Sequence, residues 1–188
     1  VAALTGTLKI GEAISGFANS AIWLIVGAFL FSRGFIKTGL GKRIAYNLIA
    51  AFGSSSLRLA YALALSDLIL APATPSNTAR VGGVIMPITT SLAKAFGSEP
   101  QDGPRKIGSF LMQSIYQVNT ITSAMFQTSM AGNTLVAALA LQSFSIGITW
   151  GDWAMAAIVP GIIALIIMPY FIYKVYPPEI KDSREAQQ

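Results

Sequence analysis

Three stretches of the chain carry no Asp, Glu, Lys or Arg: residues 13–32, 107–151 and 153–173. A helix of about 20 apolar residues crosses a bilayer core roughly 30 Å thick. Each stretch is therefore long enough to span, and the spans are expected near 13–32, 107–145 and 152–173. Two other apolar runs are shorter. Residues 44–52 end at Gly53 and three serines, too short to cross, and read as a helix lying at the membrane interface. Residues 57–71 are apolar apart from Arg58 and Asp67, and Pro72, Pro75 and Ser76-Asn77-Thr78 then interrupt them; apolar character resumes over 81–92 and stops at Lys94.

Fifteen helical residues reach only about 22 Å at 1.5 Å per residue. The run 57–71 thus reads as one arm of a re-entrant helical hairpin over 57–95, with its tip near residues 75–78. Irregular backbone is tolerated at membrane depth only where protein buries it or it lines a cavity. The long stretch has the opposite problem, since 107–145 as one straight helix would reach about 58 Å. It holds a dense polar series from Gln113 to Ser129, and Ala131-Gly132-Asn133 follows. Both facts predict a discontinuous helix interrupted between about 122 and 133; a kinked helix bonding its neighbours is the alternative.

Composition fits this picture. The 188 residues are 53% hydrophobic and 11% charged, where soluble domains run near ~25% charged. The fold class is all-α integral membrane. With no Cys and no His, disulfides, thiol catalysis, Cys/His metal sites and imidazole chemistry are excluded. The net charge of +5 does not indicate nucleic acid, because the cations flank the apolar stretches. If 57–95 dips in and returns, Arg33, Lys37, Lys42, Arg43, Arg58, Lys94, Arg105, Lys106, Lys174, Lys181 and Arg184 share one side, as the positive-inside rule favours. Val1 opens the chain without a Met or signal peptide, so the sequence reads as a piece of a longer polypeptide. Residues 177–188 read as an aqueous linker.

Interrupted helices near the membrane midplane commonly form binding sites in transporters: free N–H groups attract carboxylates, and unwound carbonyls hold cations. Ser76, Asn77 and Thr78, with Arg80 two residues on, provide amide, hydroxyl and guanidinium donors for an anion. The structural alternative is that Ser76 is a helix cap and Arg80 an ion-pair partner of Asp67.

The segment APATPSNTARVGGVIMPI (71–88) resembles the first Ser-Asn-Thr hairpin of the divalent anion:sodium symporter (DASS) family. GFANSAIWLIVGAFLFSRGFIKTGLGKRIAY (16–46), SAMFQTSMAGNTLVAALA (123–140), ITWGDWAMAAIVPG (148–161) and YPPEIKD (176–182) agree in order and spacing. The likeness is closest to the 2-oxoglutarate/malate translocator and citrate/succinate antiporter branch. It implies a dimeric elevator-type carrier of two inverted repeats, each with a Ser-Asn-Thr hairpin, and covers only the N-terminal repeat (1–176), followed by a linker (177–188).

The implied function is secondary transport of di- or tricarboxylates through a multi-pass membrane protein of the bacterial inner membrane or plastid inner envelope type. Substrate is expected at Ser76, Asn77, Thr78 and Arg80, with a further ion or substrate site on the broken helix at Thr122, Ser123, Thr128, Gly132 and Asn133. Sodium, the one candidate ion, would lie at Ser76 and Asn77. Pro72 stands where sodium-coupled members typically have a serine, and Thr122-Ser123 and Ala131-Gly132-Asn133 replace their Gly-rich and Pro-Pro-Asn sequences. These departures favour exchange without sodium. Sodium-coupled symport and a truncated, non-transporting scaffold are the alternatives. An intramembrane enzyme using Ser76 would have only Asp67, Asp152 and distant Lys94 as bases, so no enzymatic activity is expected.

Overall fold

The computed structural model describes residues 1–18 and 20–182. They fold into helices α1 (Ile10–Ala13), α2 (Ser20–Thr38), α3 (Leu40–Phe52), α4 (Ser56–Leu70), α5 (Asn77–Arg80), α6 (Met86–Ala95), α7 (Gly108–Met125), α8 (Ala131–Phe144) and α9 (Trp150–Val175). Among the described residues there is no strand, only an isolated bridge between Ser55 and Asp182. Ser56–Ala73 and Trp150–Val175 are long and apolar enough to cross a membrane.

The first long helix is α2, displaced from the charge-free stretch 13–32. It continues through Arg33 and Lys37 to Gly39, whose φ of +68° turns the chain into α3. Arg and Lys are good helix formers, and cations suit a helix C-terminus. Loss of apolar character therefore does not end this helix; the glycine does.

The element read from sequence as an interfacial helix is longer than the nine residues expected, running as α3 from Leu40 to Phe52. α3 lies antiparallel along α4 over its length: a methyl on Gly41 would stand 3.5 Å from Leu70, and one on Gly53 2.8 Å from Leu59. Ala45 is fully buried between them. The small residues Gly41 and Ala45 let the two backbones approach, a packing that a nine-residue window could not reveal.

α7 and α9 also run antiparallel. The Phe110 and Tyr173 rings meet edge to face at 5.8 Å, and fifteen residues later along α7, Met125 fills the notch left by Gly161. Leu59, Leu63, Leu70, Ile85, Ile88, Ile107, Phe110 and Leu111 make the main core. Residues 176–182 bind back across the starts of α4 and α7. Glu179 and Ile180 donate backbone bonds to Arg105 and Lys106 (3.1 and 3.0 Å), Ser56 donates to Lys181 (3.1 Å), and the Arg105 guanidinium lies 4.5 Å over the Tyr176 ring. Lys106 Nζ in turn donates to Gly97 O at 2.9 Å. The start of α4, the end of α6, the start of α7 and the end of α9 are thus tied together as one base. The last residues of the linker, 183–188, lie outside the described residues.

Two interruptions break the helical path. The first follows α4: a 3-10 turn at Ala71–Ala73, then extended backbone through Thr74 and Ser76, where α5 begins. A π-wound turn, Val81–Ile85, joins α5 to α6. The second separates α7 from α8: extended backbone at Phe126, a 3-10 turn at Gln127–Ser129, and extended backbone again at Met130.

Candidate functional site

The two interruptions pack directly on one another. Thr128 Oγ1 donates to Pro72 O at 2.7 Å, crossing from the second to the first. The stronger tie is Arg80, fully buried with all its donors used. Nε donates to Asp67 Oδ1 at 2.8 Å. Nη1 donates to Thr74 O and Ser129 O, one carbonyl from each interruption, both at 3.2 Å. Nη2 reaches Asn119 Oδ1, Thr122 Oγ1 and Ser123 Oγ at 3.1–3.2 Å. Thr122 Oγ1 also donates to Asp67 Oδ2.

A buried guanidinium is tolerable only when its charge is paired and each N–H has an acceptor. Here six oxygens supply that. Unwound backbone is the reason two of them are carbonyls: within a regular helix Thr74 and Ser129 would spend those groups on intrahelical bonds. Of the two sequence readings of Arg80, the structure shows the ion pair with Asp67.

The predicted residues of the broken helix are drawn into the same scaffold. Thr122 and Ser123 accept from Arg80. Asn133 spends both amide hydrogens on the carbonyls of Ser123 (2.7 Å) and Phe126 (2.9 Å), groups orphaned by the end of α7. Thr128 is held between Pro72 O and Trp150 Nε1, the latter at 3.0 Å. Gly132 has no side chain, and a methyl there would stand 3.3 Å from Met130 Cε. Trp150 also stacks on Phe126, with ring centroids 5.8 Å apart, and Trp153 Nε1 donates to Ala124 O at 2.9 Å. These two tryptophans fasten the second interruption.

The Ser-Asn-Thr residues differ from the rest. Ser76 is a cap, its Oγ accepting from Ala79 N at 3.2 Å. Asn77 Oδ1 accepts from the Thr78 N–H at 2.9 Å. Among the described residues nothing accepts from the Asn77 amide nitrogen; its oxygen alone is used. Thr78 is exposed, and its hydroxyl has only a long 3.5 Å contact to that oxygen. The free donors of this region are therefore concentrated at residues 77–78, beside the Arg80 network, whose acceptors are all engaged.

Sequence reasoning did not single out Asn119, Ser129 or Thr74, although each binds Arg80. Asn119 and Ser129 stood in the polar series, yet only burial distinguishes them from Gln113 or Thr120. Thr74 acts through its carbonyl, which no side-chain motif signals.

The sequence matches the family described as the sodium:sulfate symporter transmembrane region over residues 1–188. It is 58% identical over 187 residues to "Putative malate transporter YflS" of Bacillus subtilis (strain 168), covering 99% of this chain and 39% of that protein. It is 51% identical to dicarboxylate transporter 1, chloroplastic, of Spinacia oleracea, covering 97% of this chain and 32% of that one. It is 44% identical to the L-tartrate/succinate antiporter of Escherichia coli (strain UTI89 / UPEC), covering 93% and 36%. The chain thus spans between about a third and two-fifths of the length of these relatives. Matched along its whole length, helical throughout its described elements and with two helices long and apolar enough to cross a membrane, the chain belongs to the sodium:sulfate symporter transmembrane family, the DASS transporters.

Proposed function

We propose that this chain is the first repeat of a secondary transporter for dicarboxylates, with residues 1–176 as the repeat and the remainder leading toward a second. The observation that carries this reading is the pairing of free Asn77 and Thr78 donors with a rigid platform of two interlocked helix interruptions. Such donors suit a carboxylate: they are small, uncharged and set at the start of the helical arm 77–95, where backbone N–H groups attract negative charge. The names of the relatives, which include malate and dicarboxylate transporters and a tartrate/succinate antiporter, point the same way. A second Ser-Asn-Thr hairpin from the inverted repeat would complete the site, and two full-length copies would form the dimer.

The reading takes 57–95 as a re-entrant hairpin. Supporting it, Asp67 and Arg80 are thirteen residues apart yet bonded, where a continuous helix would separate them by about 20 Å. The outer ends of both arms also join the same base, Ser56 through Lys181 and Gly97 through Lys106.

Exchange, not sodium symport, is the proposed mode. The oxygens that converge between the interruptions (two carbonyls, a carboxylate, an amide and two hydroxyls) are of the kind that could hold sodium. A guanidinium already occupies them. Reconstituted full-length protein should accumulate external malate when loaded with internal dicarboxylate, at a rate changed less than twofold by a sodium gradient. Strong sodium-driven uptake into vesicles without internal substrate would overturn the exchange reading. Absence of any dicarboxylate movement would overturn the transport reading as well.

A further inference from the structure

Four cations crowd the corner where α2 meets α3: Arg33 and Lys37 on the last turns of α2, Lys42 and Arg43 on the first turn of α3. All four are exposed. No carboxylate lies between Glu12 and Asp67 in the sequence, and Asp67 is committed to Arg80 and Thr122. Among the described residues none of the four makes an ion pair. Arg33 and Lys37, one helical turn apart, repel one another. Unpaired among the described residues, the cluster makes no structural tie to them and leaves its field open.

Its position is the informative part. Ile36, between Arg33 and Lys37, packs on Gly83, where a methyl would stand 3.4 Å from its Cδ1. Gly41, beside Lys42, meets both Val84 and Leu70. α2 also touches residues 71–73. The corner therefore sits next to the backbone on either side of the first interruption. The cations Arg58, Lys94, Arg105 and Lys106 belong to the base, separated from the corner by the length of α3, about 20 Å. Counting charges along the sequence puts both groups on one membrane face; the packing of α3 on α4 sets them at opposite ends of a helix.

We propose that Arg33, Lys37, Lys42 and Arg43 form an electropositive approach that gathers dianionic substrate toward the Ser76-Asn77-Thr78 tip. This rests on the dicarboxylate reading above. A dianion interacts twice as strongly as a monoanion with each cation, and clustered charge of one sign beside low-dielectric walls raises local counter-ion concentration. The effect is screened over about 8 Å at physiological ionic strength, so it depends on salt.

The test is malate exchange by full-length protein in proteoliposomes of phosphatidylcholine, with and without phosphatidylglycerol, at low and at physiological ionic strength. The variants are Arg33→Gln/Lys37→Gln, Lys42→Gln/Arg43→Gln and their combination. Arg33→Lys/Lys37→Arg/Lys42→Arg/Arg43→Lys keeps the charge, and Lys94→Gln controls for the base. At low ionic strength the combined neutral variant should raise KM about tenfold with kcat held within about twofold. Its KM should vary less with salt than that of the unaltered protein, while the charge-retaining and Lys94 variants follow the unaltered protein.

An unchanged KM at low salt would overturn the proposal, as would equal loss in the charge-retaining variant. If the deficit follows anionic lipid content and not ionic strength, the corner is a headgroup contact and the proposal fails. Should the combined variant fail to reach the membrane, each double variant is expected to show part of the KM increase. Exchange by the unaltered protein is the reference for all arms: its absence refutes the dicarboxylate reading, and its presence with salt-independent variants refutes only the electropositive approach.

Discussion

Three consecutive residues with similar chemistry do different work here. Ser76 is an N-cap, Asn77 uses its oxygen locally and leaves its nitrogen free, and Thr78 is exposed. Asn77→Ala and Thr78→Ala are therefore expected to weaken substrate binding about 10- to 100-fold, the value of a hydrogen bond to a charged group, with little change in melting temperature. Ser76→Ala should lower stability instead, by about 0.5–2 kcal/mol. Substrate-induced thermal shift and melting of the detergent-solubilised full-length protein separate the two outcomes. Retained binding with lowered melting in Asn77→Ala would make that residue structural.

Arg80 lies at the other extreme. Arg80→Lys offers three donors where six oxygens wait, and cannot reach both carbonyls with a planar fork. It should destabilise the protein nearly as much as Arg80→Met, about 3–5 kcal/mol for a broken buried pair, read as loss of folded, monodisperse protein. Full stability in Arg80→Lys would show that the carbonyl bonds contribute little.

At the scale of elements, helices approach one another where glycine allows it. Gly161 on α9 receives Met125 of α7, and a methyl added there would stand 2.6–2.7 Å from three of its side-chain atoms. Met125 is itself buried, so it has little room to move away. Gly161→Ala is expected to cost about 1–3 kcal/mol through overpacking, although alanine is the better helix former. Met125→Ala in the same protein should remove that penalty, a coupling that a double-mutant cycle of melting measurements would detect. Additive effects of the two substitutions would contradict the contact. The contact matters beyond packing, because Met125 ends α7 immediately before the second interruption. Together with the Trp150 and Trp153 hydrogen bonds, it fixes the break against the start of α9.

For the molecule as a whole, the base joined by residues 176–182 brings the outer ends of segment 57–95 together, and the proposed hairpin places both on one membrane face. Since the chain has no cysteine, single cysteines introduced at Ser54 and at Glu99 give a clean background. A membrane-impermeant maleimide should label both from the same side in oriented vesicles if 57–95 re-enters. Labelling from opposite sides would make the segment a full crossing.

The class of structure was legible in the residue pattern alone. Long uncharged runs admit only a membrane solvent, and all-helical folding follows because lipid satisfies no backbone group. Pro72, Pro75 and the Ser-Asn-Thr run marked one interruption, because proline and capping residues act on their immediate neighbours. Gly132 and Asn133 marked the region of the other, although its extended residues, Phe126 and Met130, carry no such signal. What depended on pairs of distant residues was decided only by tertiary structure. The packing of α3 on α4, the return of 176–182 to the base, and the commitment of Thr122, Ser123 and Asn133 to internal bonds all join positions far apart in the chain. Arg80 shows the division most clearly. Its charge and its place beside the motif suit equally a ligand for an anion and a partner for Asp67. Only complete burial, with six oxygens from α4, α7 and both interruptions converging on one guanidinium, makes it the centre of the fold's polar core.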